Sequence, residues 1–88
     1  MNDKVIVKII VPEINKSYNV FLPINKKIGT IVNLLNKGIN ELSNGDYPIS
    51  ENNKLYNVDT LQAYEPNLLL FNSDIRNGTK LVILSKSA

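Results

Sequence analysis

The 88-residue sequence contains no cysteine, no histidine and no tryptophan. Without cysteine the chain has no disulfide, thiol nucleophile or iron–sulfur ligand, and without histidine the usual zinc sites and most hydrolytic triads are excluded. The net charge is also small, because ten Lys and Arg against eight Asp and Glu leave a formal charge of +2. So small an excess does not indicate nucleic acid or an anionic membrane as partner. We therefore expect a protein that is not an enzyme and that has no catalytic residue, cofactor or metal site.

Long hydrophobic runs are absent as well. The longest are Val5–Val11, which Lys8 interrupts, and Leu68–Phe71. Both fall far short of the roughly 20 residues that a membrane-spanning helix requires. No basic region followed by an apolar stretch and a small-residue cleavage site follows Met1, so no export signal is visible. The expectation is one small domain over residues 1–88 that is soluble and cytoplasmic.

The first quarter of the chain has the two-residue period of β-strands. Residues 4–11 are dense in β-branched side chains, and residues 18–23 alternate again after the Pro, Asn and Ser of a connecting turn. These two strands are predicted to form a hairpin. In the first strand one face carries Val5, Val7, Ile9 and Val11, and the other carries Lys4, Ile6, Lys8 and Ile10.

After Pro23 the period changes to that of a helix, predicted over Lys26–Ser43 with Asn25 as N-cap. Asn44 and Gly45 can adopt the left-handed conformation that ends a helix. The predicted buried stripe is Ile28, Ile31, Val32, Leu35, Ile39 and Leu42, with Leu34 beside it. Gly29 and Gly38 weaken the helix by up to about 1 kcal/mol each relative to alanine, so packing of the stripe must compensate.

The second half of the chain is predicted to hold short strands and turns. Residues 46–53 are polar with an X-Pro break and indicate a loop, residues 54–58 a short strand and residues 62–64 a shorter one. Leu68–Ile75 is predicted to cross the domain with one helical turn. A tight turn at 76–79 and a last strand at 80–84, with Leu81 and Ile83 on one face, complete the order ββαβββ.

This order resembles the ubiquitin-like β-grasp fold, an α+β fold in which one helix packs across a mixed four- to five-stranded sheet. Leu55-Tyr56 takes the place of the Leu-Ile pair of ubiquitin, and Arg76–Leu84 resembles its last turn and strand. Within that superfamily, Tyr18–Pro23 and Asn77–Leu81 are similar to the corresponding motifs of the bacterial YukD/EsaB family. The resemblance implies an accessory role in a Gram-positive type VII (WXG100/ESX-like) secretion system, with membrane-embedded or ATPase components as partners.

The end of the sequence departs from one part of this superfamily. Ubiquitin-like modifiers and sulfur carriers react through a flexible tail that ends in Gly-Gly, whereas this sequence ends Leu84-Ser85-Lys86-Ser87-Ala88. Only glycine is slim enough for such a tail to enter a narrow activating site. We therefore expect no conjugation, with a modifier or sulfur carrier and a free-standing adaptor unrelated to secretion as the alternatives.

The sheet face opposite the helix is the candidate protein-binding site, with Ile6, Lys8, Tyr56, Val82 and Leu84 as its residues. Lys4, Lys54 and Lys80 would complete a positive rim around an apolar centre, a composition typical of protein-binding surfaces. Tyr56 and Leu84 are expected to be exposed. The alternative is a scatter of ordinary exposed apolar side chains, and a single tyrosine is too little for a nucleic-acid stacking platform.

Overall fold

The computed structural model describes residues 3–50 and 53–85. The last residues of the tail on which the Gly-Gly expectation rests, 86–88, lie outside the described residues. Four strands form one sheet in the order β2-β1-β4-β3, and a single α-helix packs on one of its faces. The strands are β1 (Lys4–Val11), β2 (Lys16–Pro23), β3 (Asn53–Asn57) and β4 (Lys80–Ser85), and the helix is α1 (Ile28–Leu42).

The sheet is mixed. β1 pairs antiparallel with β2 over its whole length, as the predicted hairpin requires, and parallel with β4 at its centre. β3 pairs antiparallel with the other side of β4, so β1 and β4 are central and β2 and β3 form the edges. The short strand predicted at 62–64 is a single bridge between Ala63 and Tyr56. The described sheet therefore has four strands, the lower number that the sequence predicts.

Helix and sheet enclose one apolar core. Of the predicted helical stripe, five residues are buried, whereas Leu42 at the last turn is 63% exposed, which corrects the prediction for that residue. On the sheet, the alternate residues Val7, Ile9, Val11, Leu55, Leu81 and Ile83 are buried beneath the helix. Because successive strand residues point to opposite faces, the residues between them form the uncovered outer face.

The helix begins two residues later than predicted, at Ile28, and Asn25 is not its N-cap. Lys27 holds the cap position without a side-chain hydrogen bond. Backbone carbonyls of the crossing segment take that role instead: Ile28 N–H donates to Leu68 O at 2.8 Å and Gly29 N–H to Pro66 O at 2.9 Å. These bonds satisfy two of the donors that a helix start leaves free.

The turn after the helix has the backbone conformation predicted from its residues. Asn44 and Gly45 have φ of 55° and 86°, the left-handed conformation predicted to end the helix, and Gly78 has φ of 90° in the last turn. The predicted helical turn in the crossing segment is a 3₁₀ helix at Leu70–Asn72. A second 3₁₀ helix, Pro12–Ile14, lies in the connection of the hairpin.

Candidate protein-binding surface

The outer face of the sheet carries an apolar group at its centre. Val82 of β4 lies directly opposite Tyr56 of β3 on one side and opposite Ile10 of β1 on the other. Leu84 follows Val82 on the same face of β4, opposite Lys54. We call Ile10, Tyr56, Val82 and Leu84 the central cluster. All four side chains are half-buried, so each still offers apolar surface on the face that the helix does not cover.

This degree of burial corrects one expectation. The sequence predicts exposed side chains at Tyr56 and Leu84, but neighbours on adjacent strands cover part of each. Replacing either therefore affects the sheet as well as its surface, because cross-strand side-chain pairs stabilise sheets. Any binding experiment with such variants needs a measurement of folding beside it.

Ile6 does not join the central cluster. It lies opposite Phe21 of β2 near the other end of the face, and these side chains are 40% and 66% exposed. We call Ile6 and Phe21 the end pair. Between the end pair and the central cluster lie Lys8 and Lys80, which are partners in the parallel ladder of β1 and β4. The structure thus brings Tyr56, Val82 and Leu84 together and places Ile6 in a second apolar group.

Two members of this face, Ile10 and Phe21, were not among the predicted binding residues, although the sequence did place Ile10 on the same face of its strand as Ile6 and Lys8. The parallel pairing of β1 with β4 fixes which residue of β1 lies beside Val82, and that register was not predicted. For Phe21, the alternation of β2 was a usable signal, because Phe21 is out of phase with Tyr18, Val20 and Leu22. All four predicted lysines of the face, at positions 4, 8, 54 and 80, are exposed.

A buried polar network holds β3 against the helix. Asn36 of α1 accepts hydrogen bonds at Oδ1 from the Tyr47 hydroxyl at 3.0 Å and from Asn53 Nδ2 at 2.8 Å. Asn53 Nδ2 also donates to the Tyr47 hydroxyl oxygen at 2.6 Å. Side chains of α1 further bind the backbone of Tyr47, since Asn40 Nδ2 donates to its carbonyl at 2.8 Å. The network joins helix, loop and the start of β3, and so fixes the strand that carries Tyr56.

The buried surroundings of this network disfavour the ionised form of the Tyr47 phenol. Tyr47 is fully buried, and burial, with a smaller contribution from the charge of Glu13, raises the pKa of its phenol to about 12. Asn53 Oδ1 is a buried oxygen with no hydrogen-bond partner among the residues that the structure describes. The sequence predicts only a loop at 46–53, because one tyrosine in a polar stretch gives no periodicity from which burial can be read.

A second tyrosine fixes the other end of β3. The Tyr64 hydroxyl donates to Asp74 Oδ1 at 2.6 Å and accepts from Asn57 Nδ2 at 3.0 Å. Partial burial and then the hydrogen bond to Asp74 raise the pKa of Tyr64 to about 12. Tyr64 N–H also donates to Leu55 O at 3.0 Å. These contacts hold residues 62–64 along the outer edge of β3.

Other surfaces offer less chemistry. A groove of about 390 Å³ lies between α1 and β3, where Val32, Asn36, Leu55, Tyr64 and Pro66 are among its lining residues. Within residues 3–50 and 53–85, no group of three metal-ligating side chains comes together. No helix of the described chain is both long and apolar enough to span a membrane.

No protein-family model and no curated protein matches this chain, but several solved structures do. A chain of the MycP5-free ESX-5 inner membrane complex matches 99% of this chain with a TM-score of 0.78 and 20% identity. The match covers 22% of the ESX-5 chain, so this chain spans about a fifth of its length.

Two further matches cover whole domains. The EccD5 ubiquitin-like domain from Mycobacterium xenopi has a TM-score of 0.71 and 20% identity over 98% of this chain and 100% of its own. Ubiquitin of Caldiarchaeum subterraneum has a TM-score of 0.67 and 11% identity over 97% of this chain and 96% of its own. At such identities the likeness establishes the fold. The chain therefore has the ubiquitin-like β-grasp fold, an α+β arrangement of one helix on a mixed sheet, as the resemblance of its sequence predicts.

Proposed function

We propose that the chain acts as a single ubiquitin-like domain that binds another protein through the outer face of its sheet and makes or breaks no covalent bond. The observation that carries the proposal is the central cluster, Ile10, Tyr56, Val82 and Leu84, on the sheet face that α1 leaves uncovered. Exposed lysines lie around it. Apolar centres with polar rims are typical of protein-binding surfaces.

We further propose that the partner is a component of a type VII secretion machine and that the protein works as a cytosolic accessory factor. Support comes from the fold shared with the EccD5 ubiquitin-like domain and with part of the ESX-5 inner membrane complex. The YukD/EsaB-like motifs at 18–23 and 77–81 point the same way. The absence of histidine and cysteine from the sequence supports a role without catalysis.

The test is an affinity capture of membrane components from the native cell, with tagged wild type beside Tyr56→Ala/Leu84→Asp. A matched control, Phe71→Ala/Leu34→Asp, likewise replaces one aromatic side chain by alanine and one leucine by aspartate, at positions outside the face that are 64% and 54% exposed. Captured proteins are identified by mass spectrometry. We expect wild type and control to recover secretion-membrane components and the sheet-face variant to recover at most a tenth as much.

Thermal melting of all three proteins accompanies this experiment, because Tyr56 and Leu84 are half-buried. Recovery is compared only between proteins that are folded at the temperature of capture. If the double variant is unfolded at that temperature, the single variant Tyr56→Ala is used in its place. Equal recovery by the sheet-face variant would refute the proposed face. Recovery of an activating enzyme joined to the chain's C-terminus would show a modifier or sulfur carrier instead.

A further inference from the structure

Three consecutive rows of side chains run across the strands in the middle of the outer sheet face. Phe21 and Ile6 form the first row, Lys8 and Lys80 lie in the second, and Ile10, Val82 and Tyr56 form the third. Rows two residues apart along a strand are separated by about 6.6 Å. The two apolar rows on β1 therefore lie about 13 Å apart, with a pair of ammonium groups between them.

Two like charges lie next to each other in the second row. Lys8 and Lys80 are direct partners on neighbouring strands, and their side chains leave the same face. Both lysine side chains are exposed on that face. Like charges that are directly opposite in a sheet destabilise it. The outer face thus presents two positively charged side chains next to each other, between its two apolar rows.

We propose that this lysine pair receives a carboxylate of the partner protein, and that the face recognises a segment with one Asp or Glu between two apolar side chains. One apolar side chain would contact the end pair, and the other the central cluster about 13 Å away. The carboxylate would lie between the two ammonium groups and offset their repulsion. This inference deepens the proposed function and rests on it, because it assigns the partner chemistry of the same face.

The first test needs no partner. Lys8→Gln/Lys80→Gln removes the repulsion, so the melting temperature should rise by about 2–5 °C at low salt, less at 0.5 M salt. Lys16→Gln/Lys26→Gln removes the same net charge from exposed positions outside the face and should change it by less than about 1 °C. A melting temperature that falls, or that rises equally in both variants, would show that the pair is not repulsive.

The second test measures binding with a defined probe. A 15-residue alanine-rich helical peptide carries Leu, Glu and Leu at positions i, i+4 and i+8, which spaces the leucines by about 12 Å. A second peptide has Gln in place of Glu. Each is titrated into ¹⁵N-labelled protein, and amide shifts of β1, β2 and β4 are followed by NMR.

We expect the Glu peptide to shift amides of both apolar rows and to bind wild type at least fivefold more tightly than the Gln peptide. The difference should disappear in Lys8→Gln/Lys80→Gln and remain in the Lys16→Gln/Lys26→Gln control. Equal binding of both peptides by wild type, or shifts confined to other surfaces, would overturn the inference. The proposed function fails separately, if the Tyr56→Ala/Leu84→Asp variant still captures the cellular partner.

Discussion

At the scale of single residues, Tyr47 shows how a side chain outside the candidate binding face helps to position that face. Its hydroxyl lies between Asn36 on the helix and Asn53 at the start of β3, with distances of 3.0 and 2.6 Å. The ring is fully buried, so its bonds replace those that water would make. Tyr56 follows three residues after Asn53, and its place on the sheet depends on where this network fixes the strand.

Tyr47→Phe tests the network through the pH dependence of stability. At pH 7 the free energy of unfolding of the variant should fall by about 1–3 kcal/mol, because the buried amides of Asn36 and Asn53 each lose one hydrogen bond. In wild type, Tyr47 has a pKa of about 12 when folded and about 10 when unfolded. Between pH 10 and 12 the unfolded chain binds fewer protons at Tyr47 than the folded chain does. The contribution of the neutral Tyr47 phenol to stability is therefore complete below pH 10 and decreases as the pH rises towards 12.

The measurement is urea unfolding of both proteins from pH 7 to 12, and Tyr47→Phe should show the shallower decline between pH 10 and 12. Subtracting one curve from the other removes every contribution that the two proteins share and leaves that of the Tyr47 hydroxyl. Parallel declines would mean that the Tyr47 hydroxyl is not held neutral in the fold.

At the scale of elements, the helix shows two glycines of different kinds. A Cβ at Gly38 would meet nothing within 4 Å, whereas a Cβ at Gly29 would lie 3.3 Å from both the Cβ and the carbonyl oxygen of Pro66. Gly29 N–H also donates to that carbonyl. Gly29 therefore allows the crossing segment to approach the helix start closely, and Gly38 has no such role in the described chain.

Alanine substitutions should separate them. Gly38→Ala should stabilise the protein by up to about 1 kcal/mol, since alanine restricts the unfolded chain and favours the helix. The gain in the free energy of unfolding should be smaller for Gly29→Ala than for Gly38→Ala by at least about 0.5 kcal/mol, because the new Cβ requires Pro66 to move. Urea midpoints of the two variants and wild type measure this difference, and an equal gain at both positions would contradict the close approach.

The elements also show how far the sequence alone reaches. Strand and helix periodicities predict the four strands and the α-helix, because burial of alternate residues, or of every third to fourth residue, is a local pattern. They do not predict the 3₁₀ helix at Pro12–Ile14, and the strand predicted at 62–64 is only a single bridge. The predicted N-cap at Asn25 was wrong because carbonyls of Pro66 and Leu68, some 40 residues away, cap the helix instead. The burial of Tyr47 was not predicted for the same reason, since its partners come from separate elements.

At the scale of the whole molecule, topology decides what the candidate face contains. Sequence predicts which residues alternate on each strand, but the pairing of Lys8 with Lys80 and of Ile10 with Val82 follows from the parallel register. That register joins the first and last strands and divides the predicted face into two apolar groups with a lysine row between them. Apolar and positively charged rows thus alternate along the face, and the proposed partner would need apolar and negatively charged groups at matching spacings.

The measurement that tests the central claim most directly is site-specific photocrosslinking in the native cell. A benzophenone amino acid replaces Val82 on the sheet face in one strain and Leu34 on the helix in another, and both adducts are identified by mass spectrometry. Leu34 is 54% exposed and Val82 is half-buried, so the helix probe has the easier access to solvent. We predict a crosslink to a secretion-membrane component from position 82 and none from position 34. Crosslinks from position 34 alone would contradict the assignment of the sheet face as the binding surface.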